Sequence, residues 1–208
     1  MKISVAVMVA ALTGIASSAT AQMFGLPIVY SGKPVEASAV TVSAGATIGT
    51  SDSYGNVYGA RGAFGVANDF SILLDGGAFA PKVDDTKISP AMAAWLQYDP
   101  TMLELPWDVY TGVRVGFSSM QQRYEADITP DNLSSACVLG LANMPLGTPG
   151  IFSLYGGAGV MIPTGELDYE PIVAAGALCD VARDVVSIYA EADYVDHVYF
   201  SAGISCSF

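Results

Sequence analysis

Six charged residues stand where an unpaired charge would be strongly disfavoured. Arg61, Asp75, Asp108, Arg114, Glu191 and Asp193 each sit in a run where apolar residues recur at every second position. Successive side chains of an extended chain point to opposite faces, so each charge falls on the polar face of a strand whose other face is greasy. Charges turned toward an enclosed interior need partners, and pairs between the arginines and these carboxylates across the interior are expected. The other chemistry open to the set is a charged constriction that selects ions. Further carboxylates gather between the alternating runs, at Asp84 and Asp85, at Glu125, Asp127 and Asp131, and at Glu166, Asp168 and Glu170. Clustered carboxylate oxygens suit hard divalent cations. No Asp-x-Asp-x-Asp-Gly pattern accompanies them, so solvated loops are expected, with no metal and no cofactor. His197, the only histidine, follows Asp196 in what reads as a loop.

The elements that must carry these residues follow from period-two alternation, which marks ten strands at about 39–49, 57–66, 70–80, 91–98, 107–117, 133–142, 151–162, 172–181, 186–195 and 198–208. The fifth shows the pattern well: Trp107, Val109, Val113, Val115 and Phe117 share one face, with Asp108, Tyr110 and Arg114 behind them. The ninth sets Ile188, Ala190, Ala192 and Tyr194 against Ser187, Tyr189, Glu191 and Asp193. Strands four, six and eight alternate weakly, which keeps a count of eight as an alternative. In strand four Trp95 falls on the inner face. In strand six Ser135, Cys137 and Leu139 read as outward. Strand eight is apolar on both faces. Cys137, Cys179 and Cys206 all fall on outer faces. Cys179 and Cys206 would lie about 10 Å apart across an intervening strand, beyond the about 7 Å that a disulfide tolerates, so free thiols are expected.

Composition decides what kind of sheet this is. The 208 residues are 52% hydrophobic and 13% charged, and mean hydropathy is +0.44. A soluble domain carries about 25% charged residues. Yet after the first residues no run reaches 18 uninterrupted apolar positions. An apolar chain without a helical span points to a closed barrel, which satisfies its backbone between strands and turns alternate side chains to lipid. A secreted β-sandwich is the competing architecture. Aromatic residues on the outer faces gather near strand ends, among them Tyr58, Phe64, Phe70, Tyr98, Phe152, Tyr194, Phe200 and Phe208, as lipid interfaces favour. Connections expected on one side are short. Those on the other include the polar segments 81–90, 118–132 and 163–171. A net charge of −12 argues against a nucleic-acid partner.

Residues 1–21 read as an export signal: Met1-Lys2, an apolar run from Ile3 to Ile15, and Ala19-Thr20-Ala21 before Gln22. With no cysteine at the cleavage point, a lipid anchor is not expected. Residues 22–36 read as an extended lead-in and 37–208 as the barrel, with no further module after Phe208.

The terminal strand, Val198-Tyr199-Phe200-Ser201-Ala202-Gly203-Ile204-Ser205-Cys206-Ser207-Phe208, resembles that of the small outer-membrane β-barrel proteins of Gram-negative-type bacteria, the broad group with OmpA-type, OmpX-type and OmpW-type barrels. The resemblance spans about 37–208. It implies an antiparallel up-and-down barrel in the outer membrane, in contact with lipid and lipopolysaccharide. It also implies that Phe200, Ile204 and Phe208 present an assembly signal to the barrel-assembly machinery. Group members include anchors, adhesins, small channels and enzymes, so one activity does not follow. A non-enzymatic structural or surface-interaction role with a mostly plugged lumen is expected, because at about eight strands side chains fill a barrel. A small passive, porin-like channel is the alternative. A surface hydrolase of omptin type is more remote: it would use Asp84, Asp85, Asp196 and His197. The His-x-Ser pair of lipid-A deacylase barrels is absent, since His197 is followed by Val198-Tyr199.

Overall fold

In a computed structural model the chain forms one closed sheet. The structure describes residues 35–50, 55–80, 86–100, 109–124, 131–147, 151–164, 169–182, 185–195 and 197–208. Its strands are β1 (Val40–Gly49), β2 (Asn56–Ala67), β3 (Phe70–Ala80), β4 (Thr86–Lys87), β5 (Ser89–Tyr98), β6 (Tyr110–Tyr124), β7 (Asp131–Leu146), β8 (Phe152–Pro163), β9 (Glu170–Ala182), β10 (Val186–Val195) and β11 (His197–Ser207). Every pairing is antiparallel. Consecutive long strands are neighbours, and β1 pairs with β11 from Thr41↔Ser207 to Gly49↔Tyr199, which closes the ring. The two-residue β4 only lengthens the ribbon beyond β6. The wall therefore has ten strands, and the count of eight falls: weakly alternating β5, β7 and β9 are all full members.

Burial is inverted relative to a water-soluble protein. Outward positions expose large apolar side chains, such as Leu74 and Met92 at 59% each, while inward Arg114 and Ser118 are at 0%. Closure leaves no sheet edge, so lipid can meet every outer side chain without meeting an unpaired amide. Aromatic residues lie toward both rims. Phe64, Phe70, Tyr98, Phe152 and Phe208 are exposed at the end that carries the chain termini, and Tyr58, Tyr194 and Phe200 toward the other. Phe70 and Tyr98 are register partners whose rings sit 4.8 Å apart. From Phe200 to Phe208 the chain climbs about 27 Å at the usual rise, and about 20 Å after a tilt near 40°. That is close to the height of a bilayer-matched apolar band, about 25 Å.

Three readings need correction. First, strand β7 has the opposite phase from the one expected. Ser135, Cys137 and Leu139 face inward and are fully buried, whereas Val138 is 45% exposed on the outside. Residues opposite one another in a ladder share a face. Arg114 faces inward and pairs with Leu139, and Ser118 with Ser135, so the neighbouring strand sets the phase. Second, β6 and β7 run well past the expected boundaries, from Tyr110 to Tyr124 and from Asp131 to Leu146, so the connection read as 118–132 shrinks to 125–130. The link 99–109, at the termini end, is the longer one. Third, His197 begins β11 and pairs with Val195, so it is a strand residue and not part of a loop. All three cysteines are free, as expected. The export signal, Trp107, and the acidic residues Asp84, Asp85, Glu125, Asp127, Glu166, Asp168 and Asp196 lie outside the described residues.

Candidate functional site

Among the described residues, polar and charged side chains converge in the interior. Arg61 on β2 and Asp75 on β3 are register partners, and both face inward because Tyr58-x-Ala60 and Ile72-x-Leu74 take the outer face. The guanidinium grips the carboxylate twice, Nε to Oδ1 at 2.7 Å and a terminal nitrogen to Oδ2 at 2.7 Å. Indole Nε1 of Trp95, on β5, donates to the same Oδ2 at 2.9 Å. The pair thus runs along the wall. Attraction across the interior comes from Glu191 on β10, which acts on both Arg61 and Arg114.

Arg114 sits on β6 opposite Gln97 of β5. Its Nε donates to Gln97 Oε1 at 3.0 Å. The Gln97 amide in turn donates to both oxygens of Asp99, at 3.0 and 3.1 Å. Asp99 follows the end of β5, where Gly112 leaves room for it: a Cβ at Gly112 would stand 2.2 Å from Asp99 Oδ1. Burial pushes the Asp99 carboxyl up to about 6. Hydrogen bonding from Gln97 and the charge of Arg114 oppose that rise, and Asp69 adds to it.

Asp193 completes the polar side. Ser201 Oγ donates to its Oδ2 at 3.2 Å and lies 2.7 Å from Thr47 Oγ1. The closing seam between β1 and β11 repeats this pattern, with Ser43 to Ser205 at 3.1 Å and Thr41 with Ser207 at 3.1 Å. Opposite stands an apolar wall. Cys137, Leu139 and Leu141 on β7, Met161 on β8, and Ile172 and Ala174 on β9 all point inward and are buried.

Three aromatic residues fill the remaining width by lying across glycines. Trp95 covers Gly116, Tyr155 covers Gly176, and Tyr189 covers the register pair Gly45 and Gly203. A side chain at any of these glycines would collide with the ring. Each ring shields an otherwise bare backbone, as paired aromatic and glycine residues do in curved sheets. Tyr155 and Tyr189 also donate to the carbonyls of Ala190 and Ala44, at 3.2 Å each.

Of the six charges singled out from sequence, Arg61, Asp75, Arg114, Glu191 and Asp193 face inward, and Asp108 lies outside the described residues. Phe200, Ile204 and Phe208 are exposed on the outer face. The reading missed Gln97, Asp99 and Ser201. Gln97 stands two residues after Trp95, so the same alternation places it inside. Asp99 lies beyond the strand, where alternation has nothing to say. Among the described residues no three His, Cys, Asp or Glu side chains are grouped to hold a metal ion.

These are the features of a closed, ten-stranded, antiparallel up-and-down β-barrel with an apolar outer belt. No family model matches the chain, and no curated protein matches it. Among solved structures it is similar to the N-terminal β-barrel domain of Pseudomonas aeruginosa OprF. The two are 12% identical with a TM-score of 0.38, over 83% of this chain and 98% of that one.

Proposed function

We propose that this protein is an exported, integral outer-membrane barrel with a structural or surface-interaction role, and that its lumen is closed by its own side chains. The observation that carries the reading is the meeting of the two interior halves without residual exposure. Trp95 and Arg114 from one side, and Leu139, Met161 and Ile172 from the other, are each 0–1% exposed. Eight strands are just narrow enough for side chains to fill, so ten need bulky ones. The interior supplies two arginines, a tryptophan and two tyrosines at that level. The outer belt suits lipid and lipopolysaccharide acyl chains, and the exposed Phe200, Ile204 and Phe208 suit recognition by the barrel-assembly machinery. The role is non-enzymatic in this reading, so His197→Ala should leave any surface hydrolysis unchanged.

Purified protein in planar bilayers provides the test. A closed lumen gives no discrete conductance steps. Reproducible steps would replace this reading with that of a small passive channel, in which Arg61, Arg114 and Glu191 line the constriction.

A further inference from the structure

The chain does not leave the barrel straight along β1. Ala39 N–H donates to Glu36 O at 2.9 Å, which closes a turn, and Ser38 at its third position has φ of 69°. A non-glycine residue at positive φ is uncommon and holds only where its surroundings enforce it. Here they do. Ser38 N–H donates to Gly65 O at 2.9 Å, and Gly65 N–H donates to Ala39 O at 3.1 Å. The reversal brings Val35 back over the mouth. Its N–H donates to Ser71 Oγ at 3.3 Å, and its side chain lies partly buried against the interior apolar cluster.

The receiving surface is shaped for this contact. Gly65 and Ser71 are register partners on β2 and β3, and both face inward. A Cβ at Gly65 would stand 2.0 Å from Glu36 O and 2.6 Å from Val35 O, so only glycine leaves space for the returning backbone. Ser71, buried to 1% exposure, gives that backbone its polar anchor. An extended chain therefore occupies a seat made of one bare backbone position and one hydroxyl. That seat lies just inside the rim at the termini end, on the same side of the barrel as Asp99 and Gln97.

We infer that Val35–Ala39 is a built-in cap, an intramolecular strap that seals the termini-end mouth and keeps water and small solutes from the inner face around Ser71. The inference rests on the closed-lumen reading and adds a second layer to it: side chains block the middle, and the strap covers one end. Its release would hydrate that end without opening a path through the middle.

Ala63→Cys, one inward position deeper on β2 than Gly65, in full-length protein whose Cys137, Cys179 and Cys206 are replaced by alanine, supplies the reporter and leaves the Ser71 anchor in place. The protein is reconstituted in lipid, and the rate of reaction with a small polar maleimide is followed. Ser38→Pro removes the turn, because proline cannot adopt positive φ. Gly65→Ala evicts the strap sterically, and Ser38→Gly keeps the turn. Local openings of a strap this small span a wide range of protection. The reporter should react at least about tenfold faster in Ser38→Pro and in Gly65→Ala than in the parent or Ser38→Gly, within the range that loss of local protection produces. Heat-modifiable migration on gels confirms that each barrel is folded, and Ser38 lies outside every strand in case Gly65→Ala does not assemble. Equal rates in the parent and in Ser38→Pro would overturn the cap. The closed-lumen reading is judged separately by current: steps through the parent would sink that reading and the second layer with it, whereas a silent parent with uniformly fast labelling would sink the cap alone.

Discussion

The two halves of the barrel interior solve the same burial problem differently. From β10 through β11 and β1 to β3, the inner face is rich in hydroxyls, glycines and charges, many of them held by a side chain on an adjacent strand, although Asp193 Oδ1 has no hydrogen-bond partner. Ser43 meets Ser205, Thr47 meets Ser201, and Arg61 meets Asp75. On β7 to β9 the middle of the inner face is apolar, with Cys137, Leu139, Leu141, Met161, Ile172 and Ala174 buried there, while Ser135 and Asn143 lie to either side along β7. The polar half is specified by pairing, since each buried group needs a particular partner at a particular register position. The apolar half is specified by volume, and its strands take their phase from the polar neighbour β6. Charges and hydroxyls thus line one side of this barrel's interior, and the facing wall packs buried apolar residues against one another.

If pairing governs one half and volume the other, substitutions should separate them. The largest effect is expected at Arg61→Ala, which strands the Asp75 carboxylate in the interior and should cost about 3–5 kcal/mol in reversible unfolding from lipid or detergent. Adding Asp75→Ala should recover a large part of that loss. A double variant as unstable as the single would mean that the pair is not what Arg61 contributes. Next, Leu139→Ala should cost about 2–5 kcal/mol through the cavity it leaves, and Val138→Ala clearly less. Equal losses at 138 and 139 would erase the distinction between the faces of β7. A charge on the outer face, Ile188→Lys, should cost about 2–4 kcal/mol at mid-bilayer. Ser43→Ala removes one hydroxyl of the seam and should cost about 1 kcal/mol.

A separate effect concerns pH. The folded-state pKa of Asp99, about 6, lies above the value near 3.9 expected of an unfolded aspartate. The folded chain therefore binds the proton more tightly. Stability should rise as pH falls from above 6 toward 4, and this contribution disappears as pH climbs back through 6. Asp99→Asn should flatten that portion of the profile, as read from unfolding midpoints between pH 4 and 8. An unchanged slope would remove Asp99 as its source.

Where one face was polar, the alternation in the sequence was enough. The strands holding Arg61, Asp75, Glu191 and the terminal Phe208 were legible with their faces correctly assigned, because a single period-two pattern admits one orientation. Strand β7 was not, since Ala136, Cys137, Val138 and Leu139 are greasy on both faces and a one-residue slip changes nothing in composition. The missing signal was long-range: Ser118 and Ser135 become a hydroxyl pair only once the β6–β7 register is known. For the same reason Gln97 was readable in principle beside Trp95. Asp99, held by a glycine on another strand, was not. The turn at Glu36–Ala39 depends on Gly65 and Ser71, about thirty residues later in the chain. No local pattern announces it.

The inward set of β7 against the outward set is the point on which the account turns. In protein freed of its native thiols and reconstituted in lipid, cysteine at 138 and cysteine at 139 would each carry a fluorescent label, and a quencher dissolved in the acyl phase would be added. The label at 138 should react readily and be quenched by the lipid-phase agent; that at 139 should react poorly and stay unquenched. Strong quenching at 139 with protection at 138 would turn the strand inside out and remove the filled interior from which the closed lumen follows.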